Sequence, residues 1–181
     1  MSAVETAAFT IDPVHSTIGF SVRHLMISNV HGEFTKFKAT VHFDPENLDD
    51  CAVEALIQAD SIHTGNPKRD EHLCSRDFFD TANHPRLIYR STRFYRNHEG
   101  GLLIDGDLTV RGRTRPVTLV VNGPTPPVKD PWGAERIGLT ATGRINRHDF
   151  GIDWNQRLEG GGVLIGREVE LTLDLSLVRK E

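Results

Sequence analysis

HSTIGFSVRH (His15 to His24), with HGEF (His31 to Phe34) shortly after it, carries the clearest structural signal in the chain. Ile18, Phe20, Val22 and His24 share one parity, and Thr17, Gly19, Ser21 and Arg23 share the other. Alternation with period two is that of a β-strand with one dry and one wet face. The dry face ends in a histidine. At the end of an apolar wall an imidazole needs a polar partner, supplied by the protein or by something the protein holds.

Outward from this strand the pattern repeats. Gly32 permits a close approach ahead of Phe34. Phe37, Ala39, Val41 and Phe43 share a parity that Phe34 does not, which predicts a bulge near Thr35-Lys36 and a bent second strand. Across Ala52 to Ile62, the residues Val53, Ala55, Ile57 and Ala59 oppose Glu54, Gln58 and Asp60. Leu87 to Tyr95 reads as a strand whose facing stays open. Leu102, Ile104, Gly106, Leu108 and Val110 line one face of the next strand, Arg111-Gly112-Arg113 turns it back, and Val117, Leu119 and Val121 continue on one parity. Gly123 to Gly133 holds Pro124, Pro126, Pro127 and Pro131 and reads as a loop too rich in proline to join a ladder. Ile137, Leu139, Ala141, Gly143 and Ile145 form the next dry face. After an irregular stretch from Asn146 to Gly166, Val169, Leu171, Leu173, Leu175 and Leu177 oppose Glu168, Glu170, Thr172, Asp174 and Ser176.

One helix is predicted over PKRDEHLCSRDFFD, Pro67 to Asp80. Asn66 can cap it, Pro67 suits its first position, and Asp70 and Glu71 favour its positive end. Leu73, Cys74 and Phe78 give it an apolar side, fitting it either as a lid over a barrel mouth or as a plug.

About eight strands with polar outer faces, short hairpins and one mid-chain helix make an all-β chain. Such a sheet buries its apolar face best by closing on itself, which also removes its edges. An eight-stranded antiparallel barrel fills with its own side chains or holds one small ligand. Ala55, Ala59, Gly106, Ala141 and Gly143 on the inner faces favour a cavity, whereas Phe20, Phe34, Phe37, Phe43 and Phe78 could fill the same volume. The 181 residues show no repeat, low-complexity tract or linker and read as one domain, 1–181, long enough to bury about 70% of the extended chain's surface.

A formal charge of −4 with a pI near 6.1 supplies no electrostatic reason for nucleic acid or an anionic membrane surface as the main partner. Lys68, Arg69, Arg111, Arg113 and Arg115 lie among acids and read as solvated surface. Cys51 and Cys74 form neither a disulfide framework nor a CxxC pair and read as reduced thiols. MSAVETAAFTID lacks the basic and apolar regions of a leader, and no run approaches the ~20 apolar residues of a membrane span, so a cytoplasmic location is expected. There is no HExxH, Walker loop, GxSxG elbow or GxGxxG after a strand. Asp12, His15 and Ser16 have the residue types of a triad without a nucleophile elbow, and His24, His31 and His72 make a metal site only if the fold gathers them. No catalytic residue, metal or cofactor is predicted.

Six blocks, DPVHSTIGFSVRH, VHGEF, RDEHLCSRDFFDTANHP, GDLTVRGRTRPVTL, INRHDFGIDWN and GGVLIGREVEL, occur in the order and at the spacings of the YceI family, the lipocalin-like, polyisoprenoid-binding proteins. The resemblance runs from about Phe9 to about Arg179. It implies an extended, eight-stranded antiparallel lipocalin-like β-barrel with an interior tunnel for isoprenoid chains, isoprenoid quinone precursors, fatty-acid-like amphiphiles or other lipophilic molecules, in a protein that is commonly a homodimer. Many relatives are periplasmic or secreted, and this chain departs from them in showing no leader.

The function this implies is non-catalytic binding, storage or transport of a long-chain lipophilic ligand. Ile18, Phe20, Val22, Phe34, Leu108 and Ile145 are expected to touch its tail, where each could equally be ordinary core. Leu73 and Phe78 would cover a mouth, and His24, His72 or Arg147 would receive a polar head or pyrophosphate. Trp154 could seal the mouth or anchor its loop. Two alternatives stay open: a scavenger of foreign amphiphiles, and an enzyme of small lipophilic substrates with His24 or His72 as acid or base.

Overall fold

The computed structural model describes residues 7–181; residues 1–6, on which part of the reading of the amino terminus rests, lie outside the described residues. The strands are β1 (Ala7–Ile11), β2 (Thr17–His24), β3 (Ser28–Phe34), β4 (Phe37–Phe43), β5 (Ala52–Gln58), β6 (Ile62–His63), β7 (Arg86–Arg96), β8 (Leu102–Val110), β9 (Arg113–Asn122), β10 (Val128–Lys129), β11 (Glu135–Asn146) and β12 (Ile165–Arg179). Among the described residues a single α-helix, α1 (Pro67–Cys74), follows β6.

Six of the short strands are halves of three bent ones. β1 and β2 both lie along β12, with Ile11 opposite Leu177 and Thr17 opposite Asp174. Between them the chain loops out, and Ser16 spans the gap: its Oγ donates to the Ser176 carbonyl (3.3 Å) and accepts from the Ser176 N–H (2.9 Å). β4 and β3 continue this line on the next strand, and β5 and β6 on the one after. The ladder proceeds through β7, β8, β9 and β11 and returns to β12. The result is a closed, eight-stranded antiparallel barrel. Closure satisfies the backbone of every member strand without an open sheet edge along the seam.

The expected bulge at Thr35-Lys36 separates β3 from β4. It is matched by a 3-10 turn at Ala59–Ser61 that separates β5 from β6. Ser61 joins the two: its carbonyl accepts from the Thr35 N–H (3.1 Å), and its Oγ accepts from the Lys36 N–H (3.1 Å) while donating to the Gln58 carbonyl (2.7 Å). The segment from Gly123 to Gly133 differs from the reading as unpaired loop, because Val128 and Lys129 pair with Arg136 and Glu135. Their ladder lies beside the prolines, whose missing N–H groups are not called on.

Inside the barrel, register explains why small and large residues alternate. Leu171 lies between Gly143 on β11 and Phe20 on β2, and Leu173 lies between Ala141 and Ile18. Gly106 and Gly32, however, are not the source of empty space. A Cβ at Gly106 would overlap the ring of Tyr89, and one at Gly32 would overlap the ring of Phe20. Each glycine is the seat of a cross-strand aromatic ring.

Helix α1 starts as expected, with Pro67 in its first turn and the Asn66 side chain accepting from the Arg69 N–H (3.2 Å). It ends at Cys74 rather than running on to Asp80. Ser75 is extended, its N–H and Oγ both donate to the His72 carbonyl (3.1 and 2.7 Å), and the chain beyond continues as turns. A hydroxyl that competes for backbone groups is a recurrent reason for such a stop. Phe78 therefore belongs to the turn after the helix.

Candidate functional site: an apolar barrel cavity with a basic mouth

The barrel encloses a cavity of about 370 Å³ lined almost wholly by apolar atoms. Along β12 its wall runs from Val169 to Leu177, about 27 Å of strand at about 3.4 Å per residue. Phe43, Val53, Ala55, Ile57, Tyr89 and Leu119 are among the residues that complete it. All twelve side chains singled out from the sequence border this space. Ile18, Phe20, Val22, Phe34, Leu108 and Ile145 lie on its wall, Leu73 and Phe78 come from the segment covering one mouth, and His24, His72, Arg147 and Trp154 gather at that same mouth.

The mouth is built from three chain segments. His24 ends β2 opposite Ile165 at the start of β12. Arg147 begins a 3-10 turn, Arg147–Phe150, whose αL residue Gly151 (φ 73°) redirects the chain toward Trp154. The His72 ring stands edge-on to Trp154 (4.8 Å between centroids) and to Phe78 (5.0 Å), and Phe78 lies 5.4 Å from Trp154. A second aromatic line, Phe20, Phe34 and Phe79, continues under the cover at 5.8 and 5.7 Å. His72 Nε2 is 2.7 Å from Asp77 Oδ2, which fixes the ring.

Arg147 is only 4% exposed. Nε donates to the Gly166 carbonyl (2.8 Å), Nη1 to those of Ile152 and Trp154 (2.9 Å each), and Nη2 to that of Ile165 (3.3 Å). Burial pulls its pKa below the usual arginine value, while Asp153 opposes that shift and Arg167 adds to it. The expected role as direct receiver of a head group is thereby narrowed: most of its donors already hold the loop from Ile152 to Gly166 in place. Its charge remains at the cavity wall, unpaired with any carboxylate at ion-pair distance among the described residues. The Trp154 ring packs against His72 and Phe78 on the cavity wall, and its backbone carbonyl accepts from Arg147.

Arg111 corrects the reading of the basic residues as solvated surface. Its Nη1 donates to the carbonyls of Phe78 (3.0 Å) and Gly151 (3.2 Å), tying the cover to the 3-10 turn. Arg69 is likewise engaged, donating to Thr64 Oγ1 and the Thr64 carbonyl (2.7 Å each). Arg23, His24, Arg69, His72 and Arg147 are the basic residues on the cavity wall, and among the described residues no carboxylate lines it. Tyr89, whose facing the alternation left open, points inward and donates to the carbonyls of Ile104 (3.4 Å) and Val117 (3.3 Å); burial pushes its phenol up. Pairing Ser91 with Gly106 places its ring, a relation between strands that no single strand's pattern carries.

Among the described residues no three His, Cys, Asp or Glu side chains are gathered to hold a metal, and no helix is long and apolar enough to cross a membrane. Cys51 and Cys74 are free, and burial pushes both thiols up.

The fold has close structural counterparts. BcnA of Burkholderia cenocepacia superimposes with a TM-score of 0.77 at 20% identity, covering 92% of this chain and 98% of its own. The Campylobacter jejuni YceI protein does so at 0.71 and 26%, covering 88% and 90%. A polyisoprenoid-binding domain from Saccharophagus degradans reaches 0.68 at 13%, covering 95% and 98%. In sequence, a UPF0312 protein of Staphylococcus aureus (strain N315) is 38% identical over 165 residues, 90% of this chain and 92% of the relative. One from Staphylococcus epidermidis (strain ATCC 35984) is 37% identical over the same length. The YceI-like domain pattern matches residues 9–177, nearly the whole of the barrel, and the chain belongs to the YceI-like family.

Proposed function

We propose that the protein binds one long-chain lipophilic molecule in its barrel, without chemical conversion, the tail in the apolar interior and the polar end at the mouth of His24, His72 and Arg147. The observation that carries this reading is the enclosed cavity of about 370 Å³ with an apolar wall and all its basic groups at one end. That volume lies within the roughly 300–1,000 Å³ of small-molecule sites. The polyisoprenoid-binding neighbour from Saccharophagus degradans supplies the ligand class to try first.

The energetics favour long tails. Each buried methylene contributes about 0.8 kcal/mol, so ten contribute about 8 kcal/mol, comparable with the ~4–15 kcal/mol that immobilisation costs. Tails much shorter than about ten carbons are not retained. The basic wall further selects amphiphiles whose head is anionic or accepts hydrogen bonds.

Native mass spectrometry of protein purified from its own host, followed by organic extraction, tests the reading. A stoichiometric isoprenoid, quinone precursor or fatty-acid-like amphiphile is the expected result. A protein that comes empty and takes up no amphiphile from a series graded in tail length and head group overturns it. In the same series His24→Ala is expected to weaken ligands with a polar head and to leave headless hydrocarbons unaffected. Uniformly broad affinity would favour a scavenger instead.

A further inference from the structure

The hairpin between β2 and β3 carries an apolar tip that the barrel does not use. Met26 is 58% and Ile27 77% exposed, and Leu25 is exposed beside them. Leu25 and Met26 both have left-handed backbone (φ 52° and 62°), and the Ile27 N–H closes their turn on the His24 carbonyl (3.2 Å). Asn and Gly adopt that conformation readily, whereas large apolar side chains do so at a cost. Folding therefore holds two bulky side chains in a disfavoured conformation, in water, at a point where a polar turn would be more stable. Such a cost kept in place points to a role outside the fold.

Position supplies the role. The turn follows His24 directly, and the Leu25 N–H donates to the carbonyl of Leu164 (2.8 Å). His24 and Leu164 both line the cavity. The tip thus stands at the rim of the basic mouth, against the glycine loop of Gly160 to Gly162, where a Cβ at Gly162 would overlap Met26 Sδ. Arg23, Arg157 and Arg167 are exposed on the strand end, glycine loop and strand start that meet at the tip, with Asp153, Glu159 and Glu168 as the exposed acids of the same segments. Among the described residues no ion pair engages those three arginines.

We infer that Leu25, Met26 and Ile27 insert into the interfacial region of a lipid bilayer, with Arg23, Arg157 and Arg167 against its phosphates, so that the mouth opens onto the membrane from which the ligand is drawn. This rests on the cavity being a lipid site, and it identifies the source of the ligand as a bilayer rather than the aqueous phase. An apolar tip flanked by cations binds through buried hydrocarbon plus attraction to anionic lipid.

The triple variant L25N/M26G/I27T tests it, because it installs residues suited to the turn. Flotation with vesicles of phosphatidylcholine mixed with phosphatidylglycerol is measured, together with melting temperature and binding of pyrene-labelled dodecanoic acid in vesicle-free buffer. The parent is expected to float with the mixed vesicles, less with phosphatidylcholine alone, and less as salt is added. The variant is expected to bind vesicles roughly tenfold or more weakly, to melt no lower than the parent, and to bind the probe equally well in buffer. A parent that floats with neither vesicle, or a variant that floats as well as the parent, overturns the inference. Tip-dependent flotation of a protein that takes up no probe retains the docking surface and overturns the cavity reading instead.

Discussion

Arg111, in the left-handed turn between β8 and β9, donates from Nη1 to the carbonyl oxygen of Phe78 at 3.0 Å, so the segment covering the cavity is fastened to the barrel rim by one side chain. The same nitrogen reaches the Gly151 carbonyl, which ties the cover to the end of the 3-10 turn. Arg111→Gln keeps a donor but cannot span both carbonyls. It is expected to cost about 1.5–3 kcal/mol, the range for hydrogen bonds from a charged group, and to release bound pyrene-dodecanoic acid faster. Urea denaturation and stopped-flow release check the two effects; unchanged release would show that the cover is held by its aromatic contacts alone.

Gly106 seats the ring of Tyr89, and a methyl there would also stand 2.8 Å from the carbonyl oxygen of Arg90. Gly106→Ala is expected to destabilise by about 1–3 kcal/mol through overpacking. In a Tyr89→Leu background the part of that cost due to the ring should disappear, while the part due to the Arg90 carbonyl remains. A double-mutant cycle on chemical denaturation gives the coupling directly.

Ala55 lies on the cavity wall between Ala39 on β4 and Tyr89 on β7. An indole at this position takes cavity volume rather than core volume. If it displaces about three methylenes of ligand, Ala55→Trp loses about 2.4 kcal/mol, roughly 50-fold in affinity. Long tails should suffer more than short ones in titrations of the probe series, with the melting temperature little changed.

Asp12 lies outside the cavity, and its ionised form is held by two partners. Hydrogen bonds with His15 (2.9 Å) and Arg136 (2.6 Å) hold its carboxyl well below the usual carboxylate range. A folded-state pKa below the unfolded value of about 3.9 stabilises fully above that pH, and the contribution is lost as pH falls toward the folded value. Asp12→Asn should therefore lower the melting temperature at neutral pH, and its gap to the parent should narrow below about pH 4. A gap independent of pH would assign the effect to packing of the Asp12–Ser16 segment.

Much of the barrel was legible because a strand's inward parity is a local property. Ile18, Phe20 and Val22 face Leu173, Leu171 and Val169 across β2 and β12, two faces that alternation alone picked out, and the parity change after Phe34 located the bend between β3 and β4. The wall residues of the cleanly alternating strands follow in the same way, whereas Leu87, Tyr89 and Phe94 on β7 do not. The helix cap at Asn66 was equally local, and so was its end at Cys74, where Ser75 takes the His72 carbonyl three residues back, a stop that the absence of glycine and proline before Asp80 does not reveal.

Alternation and capping thus settled which side chains turn inward and where the helix begins, since each depends on neighbours a few positions away. Whether the inward faces leave room was decided by tertiary structure, where Tyr89 and Phe20 occupy the space over Gly106 and Gly32 from adjacent strands. So was the work of the arginines: Arg111 and Arg147 find carbonyls at Phe78, Gly151, Ile152, Trp154, Ile165 and Gly166 that only folding brings within reach. A guanidinium's role is set by the acceptors around it, and no local pattern records acceptors that come from other strands and loops.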